Sequence, residues 1–152
     1  MSYMYFYGNT LVGPACDYID HIRFINREDE YSAIPSTFLP SLGYLICGFL
    51  NMGVIIFFAK EYNALGTLTQ EYAQRSLFGK FLYLSLAMQV QRCRYYTAWL
   101  IGTANVTSPG LNYDPKGKTL LAKFGKIVGA KPLDMELGDN VKDKLEVENK
   151  YM

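Results

Sequence analysis

Residues 39–59, LPSLGYLICGFLNMGVIIFFA, form an uncharged run of 21 residues that Lys60 and Glu61 close. A helix needs roughly 20 apolar residues to cross about 30 Å of hydrocarbon, so the length fits one membrane span. Three glycines in the run suit close packing between lipid-embedded helices. Pro40 and Asn51 oppose this interpretation, and a long buried helix of a soluble protein is the alternative. We predict a transmembrane helix here.

Residues 81–104, FLYLSLAMQVQRCRYYTAWLIGTA, are a second hydrophobic segment, long enough to span a membrane but polar in its middle. A guanidinium at bilayer depth costs at least roughly 2.5 kcal/mol unless it faces protein or water. One helical face of the segment holds two polar and two aromatic residues: Gln89, Arg92, Tyr96 and Trp99. Two interpretations remain open. The face is a polar stripe lining a helix bundle, or two shorter segments meet in the headgroup zone, where both arginines reach the interface.

The stretches around these segments are polar. Residues 61–80 carry scattered Leu and Phe and predict an interfacial helix or loop, and residues 108–110, SPG, signal a turn after the second segment. Lys123, Lys126 and Lys131 are separated by apolar residues. This pattern indicates a segment at a membrane surface, with a simple solvated loop as the alternative.

Upstream of the first segment, residues 21–38 mix charge with Ser and Pro and predict a short amphipathic helix followed by a loop. Asp17 is placed as the N-cap of that helix, and Asp20 three residues on completes a pair that resembles a capping box. Capping is one role for Asp17, and a role facing a substrate is the other. His21, the single histidine, is expected at the surface near the cap.

The composition excludes some functions. The net charge is +1 and Lys and Arg are not clustered, so nucleic-acid binding is not expected. Cys16, Cys47 and Cys93 are odd in number and widely spaced, which predicts buried thiols and neither a disulfide framework nor a metal site. The first residues lack a basic region and a small-residue cleavage site, so no secretory signal peptide is predicted.

Residues 5–18, YFYGNTLVGPACDY, closely resemble a motif of the membrane-bound O-acyltransferase family, in its lysophospholipid acyltransferase branch: F-[FY]-x-x-x-L-x-G-P-x-x-[DE]-[YF]. Residues 91–99, QRCRYYTAW, are similar to the family's R-x-[KR]-Y-Y-x-x-W pattern, which opens a membrane helix. Residues 111–113, LNY, are similar to the G-L-G-[FY] element that closes it. The order and the spacing of these motifs agree with the family.

The resemblance implies an enzyme of the endoplasmic reticulum membrane that transfers an acyl chain from acyl-coenzyme A to a lysophospholipid hydroxyl. Such enzymes require an Asn beside a Trp, and a His in a hydrophobic W-H-G helix that acts as general base, because an alcohol at its ordinary pKa is a poor nucleophile. Asn149 falls at the Asn position through a weak match over residues 128–149, with Glu148 in place of the Trp. His21 lies upstream in a charged helix and does not match the required His.

The resemblance is good over most of residues 3–113, so we expect residues 1–152 to be a partial domain of this family, with a membrane part at 1–113 and a polar tail at 114–152. The first residues look like the end of a helix, which indicates a truncated or incompletely predicted enzyme that starts mid-protein. The fold expected is all-α: a fragment of a multi-pass membrane protein, with two to three transmembrane or half-spanning helices plus interfacial helices. Without the required His we expect no acyl transfer by the chain alone.

In the complete enzyme, Arg92, Tyr96 and Trp99 would line the bundle and contact the acyl donor or a lipid headgroup, and Asp17 is a further substrate-binding candidate. Packing or interfacial anchoring is the alternative for these residues. The expected partners are lysophospholipid, acyl-coenzyme A as co-substrate and membrane lipids, with no bound cofactor, no metal and no nucleic acid. Two other classes stay open: a small non-catalytic membrane protein derived from such an enzyme, acting in interaction or regulation, and a soluble domain with two apolar core helices.

Overall fold

The computed structural model describes residues 3, 16–120 and 122–127, and these residues form helices and loops without a strand. The predicted all-α class is confirmed for this part of the chain. In chain order the elements are α1 (Tyr18–Asn26), a 3-10 turn (Asp29–Ser32), α2 (Phe38–Phe58), a second 3-10 turn (Ala64–Leu68), α3 (Gln70–Gln74), α4 (Leu77–Thr107) and a third 3-10 turn (Ala122–Phe124).

Helix α2 coincides with the predicted span to within one residue at each end. In the described part of the chain it is the one helix that is long and apolar enough to cross a membrane. Most of its large apolar side chains are exposed, for example Leu50 at 66% and Phe57 at 78%. The core helix of a soluble protein would bury them, so this surface fits contact with lipid or with another protein. Further spans remain a prediction.

Helix α4 runs unbroken for 31 residues through Arg92 and ends at Thr107. The interpretation in which two shorter segments meet at the arginines is therefore wrong, because the backbone hydrogen bonds continue past them. The predicted turn follows directly, and Gly110 adopts a φ of 98°, in the left-handed region that glycine tolerates best. A β-carbon at Gly110 would also lie 2.9 Å from Ile34 Cγ2, so this turn needs glycine for space as well.

The chain divides into two compact units, residues 1–48 with 98–152, and residues 49–97, and the division falls within α2 and α4. In the first unit these two helices approach closely at Gly48, where a β-carbon would lie 3.1 Å from Ile101 Cγ1. Ser41 Oγ donates a hydrogen bond to the Ala104 carbonyl at 3.1 Å. The close packing predicted from the glycines is thus confirmed at Gly48.

In the second unit, residues 60–76 and Tyr83 form a structure that we call the Tyr83 loop. Tyr83 is buried, and its hydroxyl, which donates to the backbone, lies 3.1 Å from the carbonyl oxygens of Glu61 and Asn63. Its ring lies 5.7 Å from that of Tyr62 and 5.5 Å from that of Tyr72. This arrangement ties the loop after α2 to the first turns of α4.

The three cysteines have different environments. Cys16 and Cys93 are buried, as predicted. Cys47 is exposed, so the prediction of burial is wrong for this residue. Its position explains the difference, because Cys47 belongs to the outward apolar surface of α2, and its apolar sequence context indicates a lipid-facing or partner-facing position as readily as a core position.

Candidate functional site

The three predicted substrate-contacting residues of α4 have unequal exposure. Arg92 is exposed, Tyr96 is buried with 4% of its surface accessible, and Trp99 is half-buried. Burial gives Tyr96 a packing role in the second unit, whereas the guanidinium of Arg92 is accessible. Substrate contact by any of the three remains a prediction.

Asp17 occupies the N-cap position of α1 with extended backbone angles, but its side chain makes no capping hydrogen bond. The predicted capping box is therefore wrong. Asp20, which would have contributed to that box, instead forms an ion pair with Lys126 at 3.1 Å. Asp17 itself is exposed, and its substrate-facing role remains a prediction. Asn149, the predicted catalytic residue, lies outside the described residues.

The end of α4 meets residues 122–127 around Asn112, whose side chain is fully buried. Its Nδ2 donates to Thr107 Oγ1 at 2.9 Å and to the Phe124 carbonyl at 2.7 Å. The backbone N–H of Ile127 donates to Asn112 Oδ1 at 2.5 Å. Each polar atom of the amide thus has a protein partner, as burial requires. We call residues 107–113 with 122–127 the Asn112 junction.

An ion cluster lies beside the Asn112 junction. Lys126 Nζ lies 2.5 Å from Glu30 Oε1 and 3.1 Å from Asp20 Oδ1, and it donates to the Tyr31 hydroxyl at 3.2 Å. The Tyr31 hydroxyl in turn donates to the Leu111 carbonyl at 3.2 Å. Partial burial opposes the charge of Lys126, but these hydrogen bonds and charges outweigh it and raise the pKa of Lys126 above its ordinary value of 10.5. The cluster therefore clamps the junction to α1 and its following turn.

His21 is buried, with 2% of its surface accessible, so the expectation of a surface histidine is wrong. Its ring packs edge-on against Tyr3 at a centroid distance of 5.4 Å. Burial lowers the pKa of His21 below its ordinary value of 6.5, which favours the neutral imidazole at pH 7. The residue follows the amphipathic pattern of α1 and belongs to the helix face that is turned inward.

Sequence reasoning did not identify Asn112, Tyr31 or the partners of Lys126. One signal was present, because Asn112 stands between Leu111 and Tyr113 in place of the second glycine of the G-L-G-[FY] element. The ion cluster left no such signal, since Lys126 lies 95 or more residues along the chain from each of its partners. Within residues 16–120 and 122–127, no group of three or more His, Cys, Asp or Glu side chains is placed to hold a metal ion.

Residues 16–120 and 122–127 are thus helical, with one apolar helix of membrane-spanning length and a closed polar junction at the end of a second long helix. A family model described as MBOAT, membrane-bound O-acyltransferase family, matches residues 1–144. The chain therefore belongs to the membrane-bound O-acyltransferase family, which is membrane-embedded and carries acyltransferase activity at the level of the family.

The similar proteins that were found are all named lysophospholipid acyltransferases. A lysophospholipid acyltransferase of Schizosaccharomyces pombe is 28% identical over 98% of this chain and 31% of its own length. Lysophospholipid acyltransferase 6 of Drosophila melanogaster is 25% identical over 95% of the chain and 22% of its own length. A lysophospholipid acyltransferase of Saccharomyces cerevisiae is 24% identical over 98% of the chain and 27% of its own length. The chain thus spans less than a third of each of these relatives. No solved structure matches it.

Proposed function

We propose that this chain is a segment of a lysophospholipid acyltransferase. The observation that carries the proposal is the family match over residues 1–144 together with relatives that bear this name along nearly the whole chain. In the proposed reaction, the hydroxyl oxygen of a lysophospholipid attacks the thioester carbon of acyl-coenzyme A. The carbon–sulfur bond breaks, coenzyme A leaves as the thiol after gaining the hydroxyl proton, and a diacyl phospholipid forms.

We further propose that the 152 residues alone do not catalyse this transfer. The attack needs a general base, whose contribution is typically 10²- to 10⁴-fold. The single histidine is His21, which is buried on α1 with a lowered pKa and does not correspond to the family's W-H-G residue. The complete enzyme would act in the endoplasmic reticulum membrane as a multi-pass protein, with acyl-coenzyme A as co-substrate and no bound cofactor.

Within the complete enzyme, the proposed substrate-contacting residues are Arg92, Tyr96, Trp99 and Asp17, and Asn149 is the proposed catalytic residue of this chain. The exposed Arg92 supports a contact with a charged group of the acyl donor or headgroup. The buried Tyr96 would act mainly by holding α4 in place. An Asn suits orientation of a general base or donation to the developing negative charge on the thioester oxygen.

A chimera tests the proposal directly. The matching segment of the Schizosaccharomyces pombe relative is replaced by residues 1–144 of this chain, and membranes are assayed with acyl-coenzyme A and lysophosphatidylcholine. We expect acyl transfer by the chimera and none by the 152-residue chain. A chimera that reaches the membrane at normal levels but is inactive contradicts the proposed function, and activity of the chain alone contradicts the proposed need for a further general base.

The same chimera tests the α4 residues. Replacing Arg92 by Met is expected to raise the Michaelis constant for at least one substrate, and unchanged constants for both would refute a direct contact. The alternative function is a small non-catalytic membrane protein that binds a partner through its helix surface. The exposed apolar surface of α2 also suits that role. A transcript that ends after residue 152, with a 17.3 kDa protein in membranes, would favour it.

A further inference from the structure

The Tyr83 loop lines a cavity of about 350 Å³ that is open to solvent. Two basic and two acidic side chains line it: Lys60, Arg75, Glu61 and Glu71. Within residues 16–120 and 122–127, no ion pair joins any of these four groups to another charged residue. The cavity thus offers both signs of charge to a ligand, with a formal balance of zero.

The aromatic side chains hold the cavity in shape. The guanidinium of Arg75 lies 5.0 Å from the centre of the Tyr83 ring, a cation–π distance that restrains this basic group at the wall. The backbone of the loop is also restrained, because Asn63 Oδ1 accepts from the Gly66 N–H at 2.8 Å and Thr69 Oγ1 accepts from the Tyr72 N–H at 3.3 Å. The backbone of the loop and the Arg75 side chain are therefore preorganised, which lowers the entropy cost of binding.

The position of the cavity indicates what enters it. Lys60 follows the end of α2 by two residues, so the cavity lies where the apolar, membrane-length helix gives way to polar chain. Five large apolar side chains of the surrounding segment are 70% to 88% exposed: Leu65, Leu68, Leu77, Phe78 and Phe81. Exposed apolar groups beside basic ones are typical of segments that lie in the headgroup zone of a bilayer.

We propose that the Tyr83 loop binds the headgroup of a zwitterionic phospholipid at the membrane surface. The phosphate lies against Lys60 and Arg75, because basic side chains form the strongest hydrogen bonds with phosphate oxygens. The ammonium group of the headgroup lies against Glu61 and Glu71, and the acyl chains lie along the exposed apolar side chains. This binding site does not depend on acyl transfer and goes beyond the proposed function.

The test uses the full chain purified in detergent, titrated with dioleoylphosphatidylcholine and followed by native mass spectrometry. We expect the Lys60→Gln/Arg75→Gln variant to weaken binding of the first lipid by roughly tenfold or more, since it removes both charge-assisted hydrogen bonds to the phosphate. The matched control is Lys116→Gln/Lys118→Gln, which removes the same charge at two exposed positions outside the cavity and should leave binding within about twofold. Equal weakening by the control would overturn the proposal.

Two further binding measurements identify the ligand. Glycerophosphocholine carries the same headgroup without acyl chains, and it should bind at least roughly tenfold more weakly than the lipid, because it leaves the apolar rim uncovered. Equal binding would mean that the ligand is a soluble phosphate compound and would refute the lipid. The Glu61→Gln/Glu71→Gln variant should shift the preference from dioleoylphosphatidylcholine to dioleoylphosphatidylglycerol, which has no ammonium group. This is a change of preference and not a loss, so misfolding cannot imitate it, and an unchanged preference would refute the assigned contacts with the ammonium group.

Discussion

The Asn112 junction and the Tyr83 loop each use one buried polar side chain to hold a loop against α4. Asn112 is enclosed, and its amide and the charges of the adjacent ion cluster meet protein partners. Around Tyr83, the hydroxyl is also bonded to backbone, but the charged groups beside it line an open cavity with exposed apolar side chains nearby. A fully satisfied polar group stabilises a fold, whereas polar groups left open to a cavity are available to a ligand.

The sharpest test of this comparison is Asn112→Ala. It removes three hydrogen bonds and leaves the Ile127 N–H and the Phe124 carbonyl buried, so we expect a loss of about 3–4 kcal/mol in the free energy of unfolding. Unfolding in mixed micelles with increasing sodium dodecyl sulfate, followed by circular dichroism, measures it. Asn26→Ala is the control, because Asn26 makes one exposed hydrogen bond to Glu28 and should cost less than about 0.5 kcal/mol. Equal losses would show that the junction is not a centre of stability.

The second test is Gly66→Ala in the Tyr83 loop. A β-carbon on Gly66 would collide with the Tyr83 hydroxyl, so the ring must move and lose its bonds to Glu61 and Asn63. We expect a loss of about 2 kcal/mol in the free energy of unfolding. This loss is smaller than for Asn112→Ala because the freed hydroxyl and carbonyl groups reach solvent through the open cavity. The control is Gly53→Ala in α2, where, apart from the adjoining residues and backbone of its own helix, no heavy atom of the described residues lies within 4 Å of the added carbon. That change should be neutral or stabilise the helix by up to about 1 kcal/mol.

The features that the sequence could predict are local, whereas the features that it could not predict depend on contacts between distant residues. The bounds of α2 and the turn at Gly110 follow from local patterns, namely an uncharged run and a Ser-Pro-Gly sequence, and both are confirmed. The ion cluster joins Lys126 to Glu30 across 96 residues, and no single-sequence pattern encodes such a pairing. Asp17 has the right residue type for a cap, but its side chain makes no capping hydrogen bond. Asp20 pairs with the distant Lys126 and does not complete a capping box, and this tertiary contact could not be predicted from local spacing.

The third test is Lys126→Met, which removes the cation between Asp20 and Glu30. These side chains are only partly buried, so we expect a loss of about 1–2 kcal/mol in the free energy of unfolding. This lies between the values typical of exposed and of buried ion pairs. The pH dependence of the free energy of unfolding gives an independent measure of the contribution of Lys126. Because the folded pKa of Lys126 is raised, its contribution is fully present below the unfolded pKa of 10.5 and is lost as the pH rises through the folded value. The variant should therefore lose less stability than the unmodified chain between pH 9 and pH 11.

The smallest expected effect concerns His21, in the same unit as the Asn112 junction. Its pKa is lowered in the folded protein, so the unfolded chain binds more protons below about pH 6.5, and stability falls as the pH decreases from 6.5 towards the folded value. His21→Phe keeps a ring against Tyr3 and removes the titrating group. We therefore expect the free energy of unfolding of the variant to fall less than that of the unmodified chain between pH 7 and pH 5.5, by up to about 1 kcal/mol. The carboxylates titrate in both proteins and cancel in this difference. Hydrogen exchange then locates the effect: amides at the Asn112 junction should lose more protection at low pH in the unmodified chain than in the variant, while amides of the Tyr83 loop behave alike in both. A matching change in the Tyr83 loop would mean that the two regions do not differ in the way their polar groups are enclosed.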